Sequence, residues 1–325
     1  MCSSLRESRL DKFGASVGHQ ADSAVVRAEY GLLGYAWPWH QGHRNVLVIL
    51  IFVGLCIWLG EPLVKLFALA SENEHFSHLL LVPVLSFYLL YSNRAAILTS
   101  RRWSPLVGLL IMASGAVCYW LAEGQDGTQD RLTVAILAFV VMCWGLFLFS
   151  FGDESFRKNL FALVMLVFMV PLPTVFLDAL IGFLQRSSAE VTALLFSVLH
   201  VPVYREGFIF SLSKFTIYVA EECSGIRSFL ALVITSLVAG HWFLTSGWAR
   251  TALVVVVVPL AVIKNAFRIV GLTLLANYVD PTYLTDSALH RTGGIPMFLL
   301  SLIVLIGVVW LLRRWESRPA SRMVQ

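Results

Sequence analysis

Charge is scarce in this sequence. Asp, Glu, Lys and Arg account for 14% of its 325 residues and hydrophobic residues for 58%, whereas a soluble domain carries roughly a quarter charged residues. An ordinary soluble fold is excluded. Paired cysteines are missing too. Of the five cysteines, Cys56, Cys118 and Cys143 lie within apolar runs, Cys2 is near the start and Cys223 stands apart. None forms a C-x-x-C pair, so neither a zinc site nor a disulfide framework is expected. No stretch interleaves basic and aromatic residues, so no nucleic-acid partner is expected, and the net charge of +4 points to no particular partner. The short alternating segments of a membrane β-barrel are absent, as are internal repeats. The opening "MCSSLRESRLDKFGASVGHQADS" has no apolar core. It reads as part of a mobile cytoplasmic arm, residues 1–44, and not as a cleavable signal peptide.

What is present is a series of long apolar runs, each long enough or nearly so for a helix to cross a hydrocarbon core of about 30 Å. The expected fold is an all-α polytopic membrane protein with about eight transmembrane helices. They fall at 46–60 (running on as far as 70), 79–91, 105–122, 132–151, 160–180, 227–245, 251–270 and 295–312. The membrane domain is then 45–312, followed by a basic tail, 313–325. Arg and Lys crowd alternate loops, "SNRAAILTSRRWS", "GDESFRKN", "SGWAR" and "RRWESRPASR", while "SENEHFS" and "EGQDGTQDR" are acidic. By the positive-inside rule both termini face the cytoplasm. Residues 181–226 then lie outside, as an interfacial helix followed by a small β-hairpin in "VPVYREGFIFSLSKFTIYVAEE".

The polar residues that remain concentrate at one level. Cys223, in "AEECSGIRS", precedes the sixth span at its outer mouth. Arg268 is about 24 Å along the seventh span, at 1.5 Å per residue from Ala252, and so near the same face. His290 lies just before the eighth span. A thiolate is a nucleophile, and a helix N-terminus or a nearby cation such as Arg227 lowers a thiol pKa, while Glu221 and Glu222 oppose that shift. Ser224 and Gly225 make a tight turn that bares the sulfur and offers backbone N–H groups to an oxyanion. His290 is placed to pass a proton to a leaving amine, and Arg268 to stabilise a thiolate or oxyanion. Each residue also has a plainer reading: a structural cysteine, a snorkelling arginine, a histidine in a solvated loop. Ionisable groups at the membrane edge are costly, however, and usually functional.

Two other clusters compete. Glu72, Glu74, His75 and His78 gather at an outer edge, but no H-E-x-x-H is formed and no further strong ligand joins them, so no metal or other cofactor is expected. "MVPLPTVF" breaks the fifth span at Pro171 and Pro173, for which a proline-kinked helix end is sufficient.

With these residues in view, the chain resembles the exosortase/archaeosortase family of polytopic membrane cysteine peptidases over residues 46–312. "FSHLLLVPVLSFYLLYSNR" and "VPLPTVFLDALIGFLQRSSAEVTALL" are similar to its early and central segments. "VAEECSGIRS", "NAFRIVGL" and "HRTGGIPMF" are similar to its Cys-Ser-Gly, arginine and histidine motifs. The resemblance implies a nucleophilic Cys223, an essential Arg268 and an essential His290, which favours the bacterial type. "SHLL" departs from the glycine that often follows the early histidine. It further implies a cysteine endopeptidase or transpeptidase of the bacterial inner membrane. Its substrates would be membrane-anchored exported proteins with a C-terminal sorting signal: a Pro-Glu-Pro-like motif, a transmembrane helix and a basic tail. Such substrates are linked to extracellular polysaccharide. Two rival readings stand beside it. A polytopic surface-polysaccharide transferase or polymerase would tolerate loss of Cys223. A transporter would carry broken helices and mid-membrane polar residues in both halves.

Overall fold

The computed structural model describes residues 35–36, 41–72, 76–98, 102–122, 128–220, 224–280 and 294–317. Helices dominate. In chain order the longer ones are α1 (Gln41–Trp58), α2 (Gly60–Glu72), α3 (His78–Ser92), α4 (Pro105–Ala122) and α5 (Thr128–Lys158). Then come α6 (Leu160–Met165, prolonged by a 3-10 turn over Leu166–Met169) and α7 (Thr174–Val198). After a small sheet, α8 (Ile226–Phe243), α9 (Gly247–Tyr278) and α10 (Gly294–Glu316) complete the fold. Among the described residues five helices are by themselves long and apolar enough to cross a membrane: α4, α5, α8, α9 and α10. Two broken pairs, α1 with α2 and α6 with α7, raise the number to seven. The chain is an all-α polytopic membrane protein.

Several boundaries differ from the sequence expectation. The first span is not one rod, because α1 and α2 meet at a 71° bend. The segment 79–91 forms α3, a shorter apolar helix than the five. The span expected at 160–180 ends early. Val170 and Pro173 are extended, at φ −76, ψ 122 and φ −53, ψ 146, because prolines 171 and 173 disfavour helical backbone before them. The helix expected from 181 therefore starts at Thr174. The expected hairpin is a three-stranded antiparallel meander of β1 (Tyr204–Glu206), β2 (Ile209–Ser211) and β3 (Thr216–Tyr218).

The chain forms two compact units. One holds the chain through Leu66 together with 82–170, and its backbone is the tight antiparallel pair α4 and α5. Small residues permit that closeness. A Cβ on Gly108 would lie 2.4 Å from the Phe149 backbone nitrogen, and one on Gly145 would lie 2.6 Å from that of Met112. The outer face of α4, with Leu106, Leu109, Leu110, Val117 and Trp120, is exposed, as a lipid-facing surface should be. Where α5 ends, Asn159 donates to the Ser155 carbonyl at 2.8 Å and accepts from Asn93 at 2.9 Å. The break before α6 is thus hydrogen-bonded internally.

The other unit comprises 67–81 and 171–325. Helices α8, α9 and α10 share a core that includes Leu232, Leu253, Val257, Ala261, Leu305 and Leu312. One end of this bundle is tied by Glu316, whose carboxylate accepts from the Ser246 N–H at 2.8 Å, the Thr245 N–H at 3.2 Å and the Ser246 hydroxyl. At the same turn Arg250 donates to the Leu244 carbonyl at 3.0 and 2.8 Å. The meander packs on α7 and α9 through a second core of Ala189, Phe196, Phe210, Val219 and Val270. Arg205 clips it down with hydrogen bonds of 3.0 and 2.7 Å to Glu190 of α7, which hold the guanidinium pKa above its ordinary value.

Candidate active site

The site grows from the start of α8. Gly225 precedes the helix with φ 78 and ψ 16, a left-handed conformation that a residue with a Cβ adopts only at a cost of roughly 1–2 kcal/mol. Space selects glycine as well, since a Cβ would lie 3.2 Å from Cγ and Oδ1 of Asn265. The turn is therefore seated against α9. Its carbonyl accepts from the Phe229 N–H at 3.0 Å and from the Ser228 hydroxyl at 2.8 Å. Ser224, just before it, is 2% exposed, and its hydroxyl is buried without a hydrogen-bond partner.

A polar seam runs from this turn into the helices around it. Asn265, 1% exposed, donates to the Ser188 hydroxyl of α7 at 3.0 Å. Gln185, one turn earlier on α7, donates to the Val219 carbonyl at 2.6 Å. This bond fastens the end of the meander just ahead of the α8 turn. Lys264, 8% exposed, donates to the Ser228 hydroxyl. Arg268 follows Lys264 by four residues and Asn265 by three, so it lies on the same side of α9 and is half-buried. Two cations thus face the seam from α9, while the buried side chains of α7 bring only neutral Gln185, Ser188 and Thr192.

Of the residues expected from sequence, Ser224, Gly225 and Arg268 belong to this seam. Arg227 is exposed on the first turn of α8. Cys223 and His290 lie outside the described residues, as do Glu74 and His75 of the acidic-histidine cluster. Among the described residues no three of His, Cys, Asp and Glu gather as metal ligands. The sequence reading gives no role to five members of the seam, Gln185, Ser188, Ser228, Lys264 and Asn265. A signal for them exists: amide, hydroxyl and amine groups inside otherwise apolar helices are costly unless they meet one another.

Fold and site together define a multi-span membrane protein with a polar centre where the start of α8 meets the middle of α7 and of α9. The family model for transmembrane exosortases matches residues 69–307, well over half of the chain and including every residue of the seam. This protein belongs to the transmembrane exosortase family. No curated protein and no solved structure matches it.

Proposed function

We propose that the protein is a membrane-embedded cysteine endopeptidase, acting as a hydrolase or transpeptidase on exported proteins held in the membrane by a C-terminal sorting signal. The observation that carries this reading is the seating of the Gly225 turn against Asn265, one helical turn from Arg268. Cys223 is two residues from Gly225 in the chain. A nucleophile just ahead of such a turn in the chain would lie close to the N-terminus of α8, where the helix dipole favours negative charge.

In this mechanism the Cys223 thiolate attacks the scissile carbonyl carbon. The carbonyl oxygen becomes an oxyanion, stabilised by N–H groups of the turn and by the Arg268 guanidinium. Collapse forms a thioester and breaks the C–N bond, with His290 donating the proton that the leaving amine takes. Water or an acceptor amine then attacks the thioester and restores the thiolate. A substrate anchored by its own helix reaches the site by lateral diffusion, which raises its effective concentration there.

The test is co-expression of a sorting-signal substrate with the wild type and with Cys223→Ala. Cleavage should depend on Cys223. Cleavage that survives the substitution sinks the cysteine mechanism and returns the polysaccharide transferase and transporter readings to consideration.

A further inference from the structure

Lys264 is an expensive residue to keep where it is. Its side chain is buried within a helix that crosses the membrane, and among the described residues no carboxylate pairs with it. A second cation, Arg268, follows four residues later, where like charges on one helix repel. Met or Leu would fill the same space without burying a charge, so packing alone does not account for it.

What Lys264 does is visible in two linked hydrogen bonds. Its ammonium donates to the Ser228 hydroxyl, and that hydroxyl donates to the Gly225 carbonyl at 2.8 Å. The Gly225 carbonyl belongs to the left-handed turn through which the chain passes from Ser224 into α8. We propose that Lys264 is a positioning residue for the nucleophile turn: through Ser228 it holds the Gly225 carbonyl, and it sets a positive charge at the root of that turn. The proposal rests on the reading of Cys223 as the nucleophile.

A different use of the same pair, with Ser228 as nucleophile and Lys264 as base, fits less well. The serine proton is already committed to the Gly225 carbonyl, and the lysine donates to the hydroxyl instead of accepting from it. Among the described residues the charged groups around the turn are few. Lys264 and Arg268 face it from α9, and Arg227 lies on the first turn of α8. The buried face of α7 is neutral, and the charged residues of α10, Arg313, Arg314 and Glu316, are at its other end. Glu221 and Glu222 precede the turn in sequence.

The experiment uses the full-length protein with Cys2, Cys56, Cys118 and Cys143 replaced by alanine. Iodoacetamide alkylation of Cys223 is followed against pH without substrate, beside cleavage of a co-expressed substrate and thermal unfolding in detergent. Lys264→Met should lower cleavage at least about tenfold and move the thiol titration to higher pH, because a nearby cation is lost. It should leave thermal stability unchanged or raised, since a buried charge is replaced by an apolar side chain of similar length. Ser228→Ala, which keeps the charge, should also lower cleavage but shift the titration less. If Lys264→Met fails to accumulate, Ser228→Ala decides through cleavage. Wild-type cleavage and titration in Lys264→Met overturn the proposal. So does a loss of cleavage matched by a loss of thermal stability with the titration unmoved, which marks Lys264 as structural only. Abolition of cleavage by Ser228→Ala with full cleavage in Cys223→Ala assigns the chemistry to serine and overturns both readings. Cleavage independent of both residues removes the cysteine mechanism alone, because the titration still reports whether Lys264 governs the turn.

Discussion

Arg268 and Arg227 are both arginines close to one turn, but they occupy different environments. Arg268 is half-buried in the polar seam, whereas Arg227 is exposed on the first turn of α8. A guanidinium presents a planar fork of donors that an ammonium does not reproduce. If Arg268 directs that fork at an oxyanion or thiolate, Arg268→Lys should lose most cleavage, on the order of a hundredfold, the scale of removing one oxyanion donor. Arg227→Lys should keep most of it, because a charge near the helix terminus survives the change. Equal tolerance at both positions, measured at matched membrane levels, would reduce Arg268 to a span anchor. The sequence makes Arg268 and the Cys-Ser-Gly turn conspicuous because charged and turn-forming residues stand out against apolar runs. It does not disclose Ser188 or Asn265 as partners, because a hydrogen bond between two helices depends on which faces meet. Neither residue type is rare enough to announce that.

At the level of elements, the meander decides where α8 begins. Phe210 is fully buried, its ring 5.9 Å from that of Phe196 on α7, and Val219 after β3 joins the same core. Gln185 then holds the Val219 carbonyl at 2.6 Å, so the strand end and the α8 turn are located by one helix. Phe210→Ala should cost about 3–5 kcal/mol, the range for truncating a buried aromatic. Cleavage should fall with it, while α8–α10 keep their own core. Limited proteolysis and thermal unfolding of the variant read this directly. A variant that melts like wild type would show that the meander contributes nothing to the placing of the turn. The sequence alternation betrays β structure here, but not the third strand, because β1, β2 and β3 are only three residues each. Such short runs carry too little periodicity to separate a strand from a loop. The close pairing of α4 with α5 is equally illegible: Gly108, Gly115 and Gly145 matter through what faces them, and one helix's sequence does not name its neighbour.

For the whole molecule, the decisive question is which side of the membrane the seam faces. The bundle of α8, α9 and α10 has two chemically distinct ends. At one, the loop between α8 and α9 is tied to Glu316, with Arg250, Arg313 and Arg314 close by in the chain. At the other, the Gly225 turn lies against Asn265, and α10 starts at Gly294, four residues after His290 in the chain. Helix α9 has 32 residues, which at 1.5 Å each is about 48 Å, longer than a hydrocarbon core of about 30 Å. Its two ends therefore belong to opposite interfaces. By the positive-inside rule the arginine-rich end is expected to be cytoplasmic; the Gly225 turn and Arg268 should then face the export side, where a translocated substrate still anchored by its helix would expose its chain just outside the bilayer. In spheroplasts of a strain expressing the protein with Cys223 as its sole cysteine, a membrane-impermeant maleimide should label Cys223. With Cys223 changed to alanine and Ser317→Cys introduced beside Glu316, labelling should appear only after the membrane is permeabilised. The opposite pattern would put the Glu316 end outside. The turn would then face the cytoplasm, and an exported protein could meet it only before translocation, which would rule out sorting after export whatever the fate of the cysteine chemistry.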